Sequence, residues 1–253
     1  MTSNDISEWF VIGVDDTSDN LDEVDLNTAD FMRQLTLELT NTAWGLVEGI
    51  TQHPLFSSPK ISNDGANISY AIKLHTARSI LDLEDFLVDM IRKNSCKGSD
   101  PGLAILSRHS DMPHVLAFGR RTQTELMRLD WAQTFSTESN VTLRALGAKR
   151  NGSVGSLAAA GLRAGGDVQA RFIEIPGLTE LNGKVSAGEI RESSQLQQLL
   201  NADDEQIDRD DIIDLGEGMP TLKPHLESEE PLVRFHQHDD DRRLWIPDPA
   251  FLR

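Results

Sequence analysis

The stretch that most restricts what this chain can become is residues 9–14, Trp-Phe-Val-Ile-Gly-Val, six residues without a charge that end abruptly at Asp15-Asp16. A short, unbroken apolar run rich in β-branched and aromatic residues predicts a strand buried on both faces, and such a strand needs a layer on each side. The flanking pattern supplies those layers. Residues 28–40 carry Phe31, Met32, Leu35 and Leu39 at helical spacing, and residues 81–93 line up Leu83, Phe86, Leu87, Met90 and Ile91, with Asp82 as the expected N-cap. Residues 68–74 alternate like a strand, and residues 103–106 form another after the turn-rich segment 97–102. Residues 120–134 and the Ala-rich 154–163 predict helices, and 171–175 a strand. The expected class is α/β or α+β, a layered sheet with flanking helices.

Beyond residue 188 the periodicity weakens. Residues 190–200 predict a last helix, 201–230 a connection or arm, and 233–235 with 244–246 a final hairpin across His236–Asp241. The expected organisation is one domain over 1–200, an acidic connection over 201–230, and a C-terminal hairpin over 231–253 that packs on the domain.

Charge and cysteine content narrow the function classes. The 253 residues carry a net charge of −17, and residues 201–241 alone hold 14 acids against three bases. Such a surface repels phosphate backbones at long range, so tRNA or other nucleic acid is disfavoured as a main partner, and a small molecule or nucleotide is expected instead. The acidic stretch reads as a solvated face, or else as a docking element for a basic partner. One cysteine, Cys96, excludes a disulfide framework or a multi-cysteine zinc ribbon and fits a reducing compartment. No apolar run approaches the roughly 20 residues of a membrane span, and the polar, acidic start does not read as a signal peptide, so the expected location is cytoplasmic. Composition leaves a homo-oligomer open.

Three segments could carry chemistry. Asp15, Asp16 and Asp19 cluster just past the strongest strand, which suits a Mg²⁺ ion held by few carboxylates, waters and phosphate oxygens; the same residues also suit an acidic turn. Lys149-Arg150-Asn151-Gly152-Ser153-Val154-Gly155-Ser156 opens the Ala-rich helix. Small residues there allow backbone amides to approach an anion, or else the helix to pack closely. Gly98-Ser99-Asp100-Pro101-Gly102 reads alone as a turn. His236 and His238 beside Asp239–Asp241 hint at a metal site, but no third ligand is assured and a solvated loop accounts for them better, and Cys96 reads as incidental.

Taken in order, these segments resemble one family. Residues 12–20, IGVDDTSDN, resemble the IGIDDTD signature of the kinase-like domain of isoleucine-tRNA agmatinylcytidine (agmatidine) synthetase and its standalone relatives. Residues 49–56, GITQHPLF, resemble their GITRHQL segment; Asn67 and Ser69 fall at their HNSS; residues 98–102 reproduce GSDPG; and 151–161 resemble their Gly-rich helix opening. The resemblance spans about residues 9–175. It implies a kinase-like domain using ATP and Mg²⁺, with Asp15, Asp16 and Asp19 as metal ligands. It further implies Lys149, Asn151, Gly152, Ser153, Gly155 and Ser156, with Gly98, Ser99 and Asp100, around the nucleotide. Thr28, at the family's threonine element, would join Asp15 and Asp16 in catalysis. Ala29 and Asp30 depart from that element, and the family's zinc-ribbon cysteines are missing. The implied activity is therefore phosphotransfer to an unassigned acceptor, the alternative being a non-catalytic nucleotide or metabolite binding module.

Overall fold

A computed structural model describes residues 8–18, 27–58, 67–216 and 222–252, in two compact units, Met1–Gly165 and Gly166–Arg253. The division falls at Gly165, not near residue 200 as the charge pattern suggests.

In the first unit the strands are β1 (Glu8–Asp15), β2 (Leu46–Pro54), β3 (Ile68–Thr76), β4 (Gly102–Ser107) and β5 (Thr142–Ala145). The helices are α1 (Thr28–Asn41), α2 (Ile80–Asn94), α3 (Met112–Thr122), α4 (Leu129–Glu138) and α5 (Gly152–Ala164). The sheet order is β5-β4-β1-β3-β2, and every pair is antiparallel. The expected layering is present in its α+β form. Central β1 is the apolar run, and the alternation of its side chains splits it between two cores. Val11 joins Ala71, Ala104 and Leu106 beneath α5 and α3, whereas Phe10, Ile12 and Val14 are buried on the opposite face.

Helix starts follow their caps. Asn27 Oδ1 accepts the Asp30 amide at 3.0 Å to open α1, and Asp111 Oδ1 accepts that of His114 at 3.1 Å to open α3. The cap of α2 is Ser79, not Asp82: Ser79 Oγ accepts the Asp82 amide at 3.2 Å and donates to the Asp82 carboxylate at 2.7 Å. The helix expected over 120–134 is broken between α3 and α4. Turning there buries Met127 and brings Phe135 onto Phe118, ring centroids 5.1 Å apart, so tertiary packing overrides a helix-favouring sequence.

In the second unit, the strands are β6 (Arg171–Glu174), β7 (Lys184–Ser186), β8 (Gln198–Leu200), β9 (Ile212–Asp214), β10 (His225–Glu227), β11 (Glu230–His238) and β12 (Asp241–Pro247). A short helix, α6 (Ala187–Ser193), follows β7. The path β6-β10-β11-β12-β9-β7 carries β8 alongside β11. The helix expected over 190–200 is instead the end of α6 followed by β8. Of residues 201–230, 217–221 lie outside the described residues; the described ones are no loose arm, since Ile207, Ile213, Leu215, Leu222 and Leu226 all enter one core with Phe172, Val233 and Phe235. Well-spaced apolar residues anchor the described parts of a segment that also carries exposed acids such as Asp203, Asp204 and Asp208. No helix among the described residues is long and apolar enough to cross a membrane.

Candidate functional site

At one edge of the first unit's sheet meet the end of β1, the starts of β3 and β4, and the first turn of α5. Glycines let α5 lie directly on the strands. A Cβ on Gly13 would collide with the Ser156 carbonyl, and one on Gly102 with the Gly152 carbonyl. A Cβ on Gly155 would collide with the Asp15 carboxylate and the Ser69 hydroxyl. The small residues of the Gly-rich stretch therefore serve close helix packing, and that packing presses the helix backbone onto Asp15.

Burial of the Asp15 carboxyl, reinforced by the neighbouring charge of Asp16, pushes its pKa up to about 8. Ser69 lies beside this carboxyl and draws the pKa partly back, yet the pair falls outside full hydrogen-bonding geometry, and the buried Ser69 Oγ makes no other hydrogen bond. Asp16 is also raised, first by burial and then by Asp100, while the Lys149 ammonium opposes the shift. Asp16 takes a left-handed backbone (φ 57°), an uncommon conformation for a residue with a side chain. The reversed chain turns the Asp16 carbonyl toward the Asp100 amide, which donates to it at 3.2 Å.

Asp100 is buried and accepts three amides: Lys149 and Arg150 at 2.9 Å on Oδ1, and Asn151 at 2.5 Å on Oδ2. Its own carbonyl accepts the Gly152 amide at 3.2 Å. Asp100 thus holds the amides of Lys149 to Gly152, and of the Gly152–Ser156 backbone expected to cradle a phosphate, the Gly152 amide is taken by Asp100 and those of Ser153 and Val154 by the carbonyls of Arg150 and Asn151. Asp100 ties the GSDPG turn to the α5 loop. In that turn Gly98 supplies a left-handed φ of 102°, and Ser99 Oγ donates to the Cys96 carbonyl at 2.8 Å. Ser153, in the first turn of α5, is buried with its hydroxyl unpartnered. The Lys149 side chain is exposed and near Asp16, which leaves it available to an anion.

Thr28 opens α1, where its Oγ1 accepts both the amide (3.3 Å) and the hydroxyl (3.2 Å) of Thr17. It thereby fixes the chain just past Asp16. Asp19 lies outside the described residues. Among the described residues no group of three His, Cys, Asp or Glu side chains is arranged to hold a metal. His236 and His238 follow suit: His236 Nδ1 pairs with the Asp248 carboxylate at 2.9 Å.

Sequence reading placed Ser69 at the family's HNSS segment but gave it no role in the site, and it missed Tyr70. Tyr70 on β3 has its pKa raised by burial and then by Asp15. The available signal was the serine at the start of an inward-facing row in β3, one alternation before Ala71.

Comparison with solved structures matches a crystal structure of TiaS in complex with an isoleucine tRNA and ATP, at TM-score 0.51 and 18% identity, covering 61% of this chain and 36% of that one. This chain shares its fold. A complex of TiaS with the same tRNA, AMPCPP and agmatine matches at TM-score 0.50 and 17% identity, over 60% of this chain and 36% of that one. A tRNA fluorescent labeling enzyme matches at TM-score 0.50 and 18% identity with the same coverage. The matched region is thus little more than a third of each of those proteins. No protein-family model and no curated protein matches the sequence.

Proposed function

We propose that the first unit binds Mg-ATP at the Asp15–Asp16 edge and acts as a kinase-like phosphotransferase on an acceptor still to be identified. The observation that carries this reading is the Asp15 carboxyl, desolvated beside a second carboxylate and pressed by α5, with a raised pKa. Such a pair is costly to ionise without a cation, and it suits an ion that takes few protein oxygens and keeps the rest for water and phosphate. Solved structures of the same fold with ATP and with AMPCPP support the nucleotide.

In this reading Asp15 and Asp16 hold the Mg²⁺, which supplies neutralisation of phosphate charge. Lys149 adds a cation on the same side as Asp16, and the bond from Thr17 to Thr28 holds the loop that follows the carboxylates. Catalysis of this type is positioning and charge neutralisation, so it needs no further nucleophile from the protein. Calorimetry of Mg-ATP against the wild type and Asp15→Asn/Asp16→Asn tests the site. At least a tenfold loss of affinity is expected, and equal affinity would remove the assignment.

A second reading, a nucleotide-binding module without turnover, is favoured by one feature: the amides of Lys149 to Gly152 are occupied by Asp100, so backbone help for a transferred phosphate is reduced. ATP consumption measured with candidate acceptors, agmatine and cytidine among them, separates the two.

A further inference from the structure

Ser69 stands where a hydroxyl is expensive. It is fully buried and makes no hydrogen bond of full geometry, a condition that disfavours the folded state relative to a satisfied or apolar group. Alanine would fill the same space, as Ala71 does two residues along the same face of β3. The antiparallel register explains what Ser69 confronts. One step past the Val14↔Tyr70 pair, Asp15 and Ser69 stand opposite each other, and Ser69 pairs in turn with His53 of β2. His53 is itself buried and engaged, its Nε2 lying 2.9 Å from Thr51 Oγ1. A polar row therefore crosses three strands beneath α5, and Gly155 closes it from above, since any Cβ there would strike both the Asp15 carboxylate and Ser69 Oγ.

We propose that Ser69 is a positioning residue for Asp15, its hydroxyl donating to the carboxylate and fixing it in the orientation that receives a divalent cation. This deepens the reading of the site given above and rests on it. Ser69 already lies beside the Asp15 carboxyl without full hydrogen-bonding geometry; a bond completed when the cation fixes the carboxylate contributes to binding, because the strengthening occurs only in the loaded state. Partners of metal-binding carboxylates and imidazoles that act this way typically change metal affinity by about 10–100-fold when removed.

The probe is Mn²⁺ in the presence of adenylyl imidodiphosphate, followed by the electron paramagnetic resonance of the free ion, on wild type, Ser69→Ala, Ser69→Cys and Asp15→Asn. Ser69→Ala should weaken Mn²⁺ binding about tenfold or more. With chelator present it should unfold at the same or a higher denaturant concentration than wild type, because a buried hydroxyl without a hydrogen bond of full geometry has been removed. Ser69→Cys, of similar size but a weak donor, should follow Ser69→Ala. In an Asp15→Asn background Ser69→Ala should change nothing further. If Mn²⁺ binding depends on Asp15 but is untouched by both Ser69 variants, the positioning role is overturned and the site stands. If Asp15→Asn binds as wild type does, or wild type takes up no Mn²⁺, both fall. Lower stability of Ser69→Ala with unchanged Mn²⁺ affinity would make Ser69 a packing residue and equally overturn the proposal.

Discussion

Replacing Asp15 by asparagine should make the ligand-free protein more stable, and by an amount that grows with pH. The carboxyl has a pKa of about 8 when folded against an ordinary 3.8, so the native state binds this proton more tightly than the unfolded chain does. The stability linked to it is complete below the ordinary pKa and is lost as pH rises through about 8. Between those limits the loss approaches about 1.4 kcal/mol per pH unit, which places its ceiling near ~4 kcal/mol at pH 7. Asparagine has nearly the same shape and never ionises, so it avoids the loss. Urea unfolding of both proteins from pH 4 to 8, with chelator present, gives the comparison. Groups remote from the site titrate alike in both chains, and Tyr70, which feels Asp15, is raised from 10.0 and so titrates above this range, so the difference reports residue 15 together with its coupling to Asp16. Hydrogen exchange of β1 and β4 amides assigns the transition to the first unit, which matters because a chain of two units need not unfold in one step. The variant should match wild type near pH 4 and exceed it by a margin of about 1–4 kcal/mol at pH 7–8. A variant no more stable than wild type at pH 8, or a margin that does not change with pH, would refute the argument that Asp15 is a desolvated carboxyl awaiting a cation.

Three further outcomes follow from the same geometry. Gly155→Ala, which in an ordinary helix interior adds about 0.5–1 kcal/mol, should here destabilise and reduce Mg-ATP affinity in calorimetry, because its Cβ meets the Asp15 carboxylate; a stabilised variant with full affinity would contradict the packing of α5. Asp100→Ala removes the acceptor of three amides and should cost about 3 kcal/mol in urea unfolding, while a change under about 0.5 kcal/mol would show that the α5 loop holds itself. Excising residues 203–211 deletes buried Ile207 and breaks into the second unit's core, so cooperative unfolding reported by Trp245 should disappear; a retained sharp transition would restore the picture of a dispensable arm.

The elements of the first unit were legible where periodicity and burial agreed. The apolar run of β1 and the stripes of α1 and α2 announced themselves because most of β1 and one face of each helix are buried, a pattern that a local window contains whatever covers it. The antiparallel arrangement was not legible, since a strand buried on both faces reads the same whichever way its partners run. Nor was the core of the second unit. Ile207, Ile213 and Leu226 are separated by acids, so no hydrophobic period marks them; they enter the core only as short segments fold onto one another, Leu226 opposite Pro231 in a hairpin, Ile213 beside Trp245 in a parallel pair, and the Ile207 amide donating to the Leu199 carbonyl. Charge counting took the solvated side chains of that segment for the whole of it.

The site divides along the same line. Asp15 and Asp16 could be named from sequence because a carboxylate pair after a buried strand is itself a chemical signal. The roles of Gly155, Asp100 and Ser69 depend on what lies opposite them in space. Glycine at 155 has a helical backbone that any residue could adopt; what forbids a side chain is the carboxylate of a residue 140 positions earlier. Asp100 looks like a turn former until its carboxylate is seen to gather the amides of Lys149, Arg150 and Asn151, an engagement that makes it the lock between two loops. That lock also bears on chemistry. With those amides committed, negative charge arriving at this edge has to be met by side chains and by whatever cation the two aspartates hold, so nucleotide affinity should fall more steeply on removing the divalent ion than on replacing any single glycine by a residue the fold tolerates.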